Sequence, residues 1–186
     1  ALFKVASFRI GILGNLFSRI GSGAMPMLIP LLFQVGLGMS PLHAGMMMIP
    51  VALAGMASKR SAVALVQRFG YRRILMVNTV LVGLAMASFT LITAQQPLGW
   101  RIAQMALFGA VNSLQFTVMN TVTLRDLDRT QDSAGNSLLS MVMMLAAGFG
   151  AATAGSLLAA FGQHLPVGQD ALAALRATFL IVGGIT

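Results

Sequence analysis

The sequence predicts an all-α membrane protein, a bundle of six transmembrane helices whose last helix is cut short. Three observations carry that prediction. The chain is 57% hydrophobic and 9% charged, whereas a soluble domain carries about 25% charged residues. That leaves too little charge to cover a water-facing surface, so lipid is the expected solvent. Apolar runs of the roughly 20 residues that a spanning helix needs recur along the chain, without the period-two alternation of barrel strands. Basic residues collect at every second connector, as the positive-inside rule requires.

The runs cover approximately residues 8–36, 41–66, 74–93, 102–124 and 135–161, with a partial sixth over 171–186. The chain begins without Met and ends inside an apolar run, which reads as a piece of a longer protein. Lys4 and Arg9 precede the first run. Lys59, Arg60, Arg68, Arg72 and Arg73 surround the second connector, and Arg125 and Arg129 lie in the fourth. The first connector has no Lys or Arg, the third only Arg101 and the fifth only Arg176. This alternation places the N-terminus and the even connectors in the cytoplasm. For a bacterial chain the membrane is the inner one, crossed several times.

The first run carries an arginine, Arg19, between apolar neighbours. At 100° per residue, Asn15, Ser18, Arg19 and Ser22 fall within an arc of about 100°. A polar stripe on a membrane helix faces a bundle interior or a water-filled cavity. A later helix start would instead let Arg19 snorkel to the cytoplasmic headgroups. Met25 lies near the stripe, and methionine is soft enough to line a pocket for varied apolar ligands.

The fourth run repeats the feature. Gln104, Asn112 and Gln115 fall within about 80° of arc, with Asn120 at the margin. Ordinary interhelical hydrogen bonding is the competing account. The first and fourth helices each open a helical triplet, and transporters repeat such triplets around a substrate site. Pro26 and Pro30 in the first helix and Pro50 in the second remove backbone donors and favour kinks. The fifth run has small residues four apart, at Ala147, Ala151 and Gly155 and at Gly148, Ala152 and Ser156. These rows predict close helix packing.

Other chemistries find no support. With no cysteine there is no disulfide framework. His43 and His164 fall in outer connectors without acids at ligand spacing, so no metal is expected. The net charge of +8 is spread between apolar runs, not clustered beside aromatics on a soluble face, so nucleic acid is not an expected partner. No catalytic triad, carboxylate pair or phosphate-binding glycine loop appears, so neither an enzyme nor a cofactor is expected. All four acids, Asp126, Asp128, Asp132 and Asp170, lie in connectors. A proton-coupled carrier needs a titratable group in its pathway, and that group must then lie elsewhere.

The stretch "LIPLLFQVGLGMSPLHAGMMMIP", residues 28–50, resembles the "lPlylQ…G.s…aG…lP" signature of major facilitator drug exporters. It is nearest to their 14-helix drug/proton antiporter branch, through Gln34, Gly38, Ser40, Gly45 and Pro50. The resemblance implies that this chain is the C-terminal bundle of a two-bundle transporter, with its first and fourth helices on a central cavity. It implies an N-terminal transmembrane half as partner, a small amphipathic substrate, protons as coupling ion and alternating access. Asn15, Ser18, Arg19, Ser22, Met25, Gln34, Asn112 and Gln115 are the cavity candidates. The resemblance also extends to the cytoplasmic loop element "GxLaDRxGRR", of which Arg68, Gly70, Arg72 and Arg73 remain, while Gln67 stands where the family has Asp. Attraction of these bases to anionic lipid accounts for the loop equally well. A non-transporting sensor or scaffold built on the same fold is the alternative function.

Overall fold

The computed structural model describes residues 6–127, 132–164 and 170–185. Lys4, Asp128, Arg129 and the side chain of His164 lie outside the described residues. Every element among the described residues is helical. That is the expected solution in lipid, where each backbone polar group must be satisfied within its own segment or a closed barrel. The helices are α1 (Ala6–Leu31), α2 (Pro41–Met46), α3 (Ile49–Phe69), α4 (Tyr71–Ser88), α5 (Leu98–Leu124), α6 (Asp132–His164) and α7 (Asp170–Ile185). Five rods are long and apolar enough to cross a membrane, with α2 and α3 forming one of them, and the shorter apolar helix 171–184 is the sixth.

The prolines act differently from one another. Helix α1 passes through Pro26 and Pro30, then widens into a π-helical turn over Leu32–Gly36. A proline has no N–H to give the carbonyl four residues back, so the ladder loosens where donors have been removed. Gly38 then takes a left-handed conformation (φ 66°), and the Met39 N–H closes onto the Phe33 carbonyl at 2.9 Å. In the second run the expected single helix is interrupted. Pro50 cannot bond the Met46 carbonyl, and the chain breaks at Met47–Met48 between α2 and α3. Ser40 caps α2 by accepting from the His43 N–H, with Pro41 at the first helical position.

Between α3 and α4 there is only Gly70. Its backbone (φ 77°, ψ 154°) is open to glycine and closed to other residues. The α3 and α4 rods therefore leave one point at an angle. Both then pack on α5, which is the central helix of that side of the bundle and also meets α1. Gly109 of α5 lies directly on the Val51 backbone of α3, and the Ser113 hydroxyl donates to the Gly55 carbonyl at 2.8 Å.

On the other side α1 packs on α6, and α7 fills the space between α4, α1 and α6. The close approach of α1 and α6 runs through Gly23 and Gly150. A Cβ on Gly150 would strike the Ile20 carbonyl, and one on Gly23 would stand 2.8 Å from Ala147 Cα. The buried row on α6 is thus Ala146, Gly150 and Ala154. The expected close packing is therefore present, with Ala147 of one expected row against Gly23, while Gly148, Ala152 and Ser156 of the other row are exposed.

The core is uneven along the bundle. Its large cluster gathers Leu28, Ile29, Phe33, Met86, Phe89 and Phe179 among others. Phe89 sits edge-on to both Phe108 and Phe179 at 5.4 Å. A second, small cluster at the other end of α1 holds Phe8, Ile12 and Leu139. Between them, from Asn15 to Ser22, the inward face of α1 is polar and buried.

Candidate functional site

That polar stretch is built around Arg19. The residue lies close to the middle of the Phe8–Gly36 span and is 9% exposed. Asn15, one turn earlier and fully buried, accepts from Arg19 Nε at 3.2 Å. The Asn15 amide is itself fixed, since its Nδ2 donates to the Gly11 carbonyl at 3.1 Å and to Thr123 Oγ1 of α5 at 3.0 Å. Thr123 Oγ1 in turn donates to the Met119 carbonyl at 2.8 Å. Arg19 Nη2 donates to Asn120 Oδ1 across the α1–α5 gap at 3.4 Å. The guanidinium also lies 3.8 Å from the centroid of the Phe116 ring, a cation–π contact that gains strength out of water.

All of these partners are neutral. No acid lies within any of the five long spans. A guanidinium has five donors, and the groups named here take only part of that capacity. Its remaining side opens on two adjoining hollows. One, of about 260 Å³, is lined by Arg19, Ser22, Met25, Met48, Asn112 and Phe116 among others. The other, of about 450 Å³, adds Lys59, Ser113, Thr117 and Asn120. Helices α1, α3, α5 and α6 all contribute a wall. The lining mixes two cations, Arg19 and Lys59, amides and hydroxyls with methionine, valine and aromatic surface. It can orient a charged or polar group while leaving room for a variable apolar body.

The predicted site residues therefore separate. Asn15, Arg19, Ser22, Met25 and Asn112 are brought together at or beside the hollow. Ser18 is 7% exposed and lies outside the lining. Gln34 stands on the π-helical turn, away from it. Gln115 is 2% exposed and faces α4. It accepts from Asn78 Nδ2 at 2.8 Å and donates to Thr79 Oγ1 at 2.8 Å. Gln104 also turns to α4 and donates to the Ser88 carbonyl at 3.1 Å. These two amides join helices, as the packing alternative held. Sequence reasoning passed over Phe116 and left Asn120 at a margin. Asn112, Phe116 and Asn120 lie four residues apart on one face, and that spacing was the available signal.

The loop residues Gln67, Arg68, Gly70, Arg72 and Arg73 are all exposed at the α3–α4 end. Only Gly70 has a conformational requirement, the one-residue connection described above. At the opposite end Arg101, in the first turn of α5, is buried against the α4–α5 connector. Its Nη2 donates to the carbonyls of Thr93, Ala94 and Gln96 at 3.1, 2.7 and 3.0 Å.

The fold defines a class: an all-α, multi-pass membrane bundle with a polar hollow between its helices. Its particular kinship comes from comparison with known proteins. Over 170 residues, 90% of its length, the chain is 47% identical to "Putative multidrug resistance protein MdtD" of Pectobacterium carotovorum subsp. carotovorum. It is 47% identical over 91% of its length to the protein of the same name from Salmonella newport. No family profile matches the chain. The chain spans about a third of the length of the curated relatives it matches, 36% in both cases. The chain is thus similar to part of a protein named as a putative multidrug resistance protein.

Proposed function

We propose that this chain is the C-terminal bundle of a major facilitator secondary transporter that exports amphipathic small molecules by alternating access. The observation that carries the reading is the arginine-centred hollow, walled by α1, α3, α5 and α6. A buried cation near the middle of a membrane span is costly, at least about 2.5 kcal/mol on insertion scales. Its retention beside an open hollow supports work on a ligand or on a facing carboxylate. The second wall belongs to an N-terminal half of the same protein. Protons are the proposed coupling ion, and the titrating acid belongs to that half, since no long span here holds one.

The test is transport by the full-length protein in proteoliposomes under an imposed proton gradient. Gradient-driven movement of drug-like compounds supports the reading. No movement across a broad panel, with the protein folded and correctly inserted, refutes it. Orientation is tested separately. The proposal sets the α3–α4 end in the cytoplasm of a bacterial inner membrane. A cysteine at Gln95 should then label from outside intact cells, and one at Gln67 only after permeabilisation.

A further inference from the structure

A second hollow lies on the outside of the bundle, away from the Arg19 site. It has a volume of about 380 Å³ and runs between α3 and α4 with α5 as its floor. Its origin is geometric. The α3 and α4 rods diverge from Gly70, and each packs on α5 more closely than on the other, so a trough is left between them. Leu65, Phe69, Val77, Leu81 and Leu114 line it, and Arg73 stands at one end. The amide of Asn78, the other polar group in the lining, is turned inward to the Val111 carbonyl and Gln115 at 2.8 Å each.

From Arg73 to Leu81 is eight residues, or about 12 Å along a helix. The trough therefore starts at the exposed α3–α4 connector and descends into the span as a channel that is apolar apart from Asn78. Val77 and Leu81 are exposed along it. Arg68 and Arg72 flank the same end and are exposed too. A cationic mouth at headgroup level above an apolar trough has the polarity of one lipid molecule. An arginine fork pairs with phosphate oxygens. An acyl chain needs no polar partner.

We infer that the α3–α4 trough is a discrete binding site for one anionic glycerophospholipid, with an acyl chain in the trough and its phosphate on Arg73. The site depends on the membrane placement of the helices and not on the transport reading. It differs from general attraction of a basic loop to anionic lipid. General attraction counts all basic residues alike, at about 1 kcal/mol each, and is indifferent to the shape of the trough.

Native mass spectrometry of the full-length protein, titrated with phosphatidylglycerol or phosphatidylcholine, distinguishes the two. The wild type should retain one phosphatidylglycerol in preference to phosphatidylcholine. Arg73→Glu should lower that retention at least tenfold. Leu81→Trp should do the same by filling the trough with every charge intact. Arg60→Glu, exposed on α3 but outside the lining, should leave retention unchanged. Both substitutions in the site lie on exposed surface, and a thermal melt checks that each variant is folded. The inference is overturned if the wild type retains no preferred lipid. It is also overturned if folded Leu81→Trp binds like wild type, or if Arg60→Glu loses as much as Arg73→Glu.

Discussion

Two arginines are buried among the described residues, and they are held in opposite ways. Arg101 is 6% exposed and Arg19 is 9% exposed. Arg101 closes on three main-chain carbonyls between 2.7 and 3.1 Å. Those carbonyls belong to the connector, where the Thr93 carbonyl also accepts from the Gln96 N–H at 3.3 Å, and the side chain ties that turn together. Arg19 reaches two side-chain amides at 3.2 and 3.4 Å, and its guanidinium lies against an aromatic ring beside the hollows. Nothing in the backbone depends on it. Burial alone does not separate the two. Under the proposed function, the chemical nature of the partners does.

The largest effect on stability should come from Arg101→Met. It leaves three carbonyls without their charged donor, and hydrogen bonds to charged groups contribute about 1.5–3 kcal/mol each. A loss of roughly 3 kcal/mol is expected, read as a clear fall in melting temperature in detergent. Transport per folded molecule should persist. A normal melt for this variant would break the comparison at its structural end.

Arg19→Ala should do the reverse, with a melting temperature near wild type and transport reduced at least tenfold. Removing a central cation also removes its burial cost, so stability need not fall. If a carboxylate of the facing half pairs with Arg19, the single variant strands that acid and loses roughly 3–5 kcal/mol. A second substitution at the acid would then restore the melt. Arg19→Lys sharpens the point further. A site that needs only a point charge keeps part of its activity, and one that needs the planar fork does not.

Smaller effects should separate the two amides of α5. Gln115→Leu breaks its bonds to Asn78 and Thr79 and should cost about 1 kcal/mol or less. Its transport should match wild type. Asn112→Leu should leave the melt almost unchanged and alter substrate preference, because Asn112 lines both hollows. The opposite assignment of the two phenotypes would show that the hollow is drawn on the wrong face of α5.

Much of this architecture was legible in the residues. Hydropathy gave the runs, because lipid requires apolar helices of that length. The α1 stripe also led to Arg19 and Asn15. The α5 stripe did less well, for a geometric reason. Gln104 and Gln115 differ by about 20° around the helix, whereas Asn112, Phe116 and Asn120 lie about 80–160° from Gln104. The expected arc straddled two faces, one toward α4 and one toward the hollow. A wheel gives directions around one helix and says nothing of which neighbour stands in each direction. Helix α6 was ambiguous for a related reason. Small residues occupy several of its faces, so spacing alone could not choose the Ala146–Gly150–Ala154 row. The role of Arg101 depended on the path of a connector, and no periodicity encodes that path.

The central claim is that Arg19 stands on a water-filled, ligand-accessible wall while Arg101 does not. Cysteine accessibility tests it most directly, since this chain carries no cysteine of its own. In the full-length protein, with any cysteines elsewhere removed, Arg19→Cys and Arg101→Cys would be treated with a small charged thiol reagent in native membranes. The account predicts that position 19 reacts, and that a transported compound slows the reaction. It predicts that position 101 stays unreactive, or reacts at a rate no compound changes. A folded Arg19→Cys that does not react, or reacts at a rate no ligand changes, would contradict it.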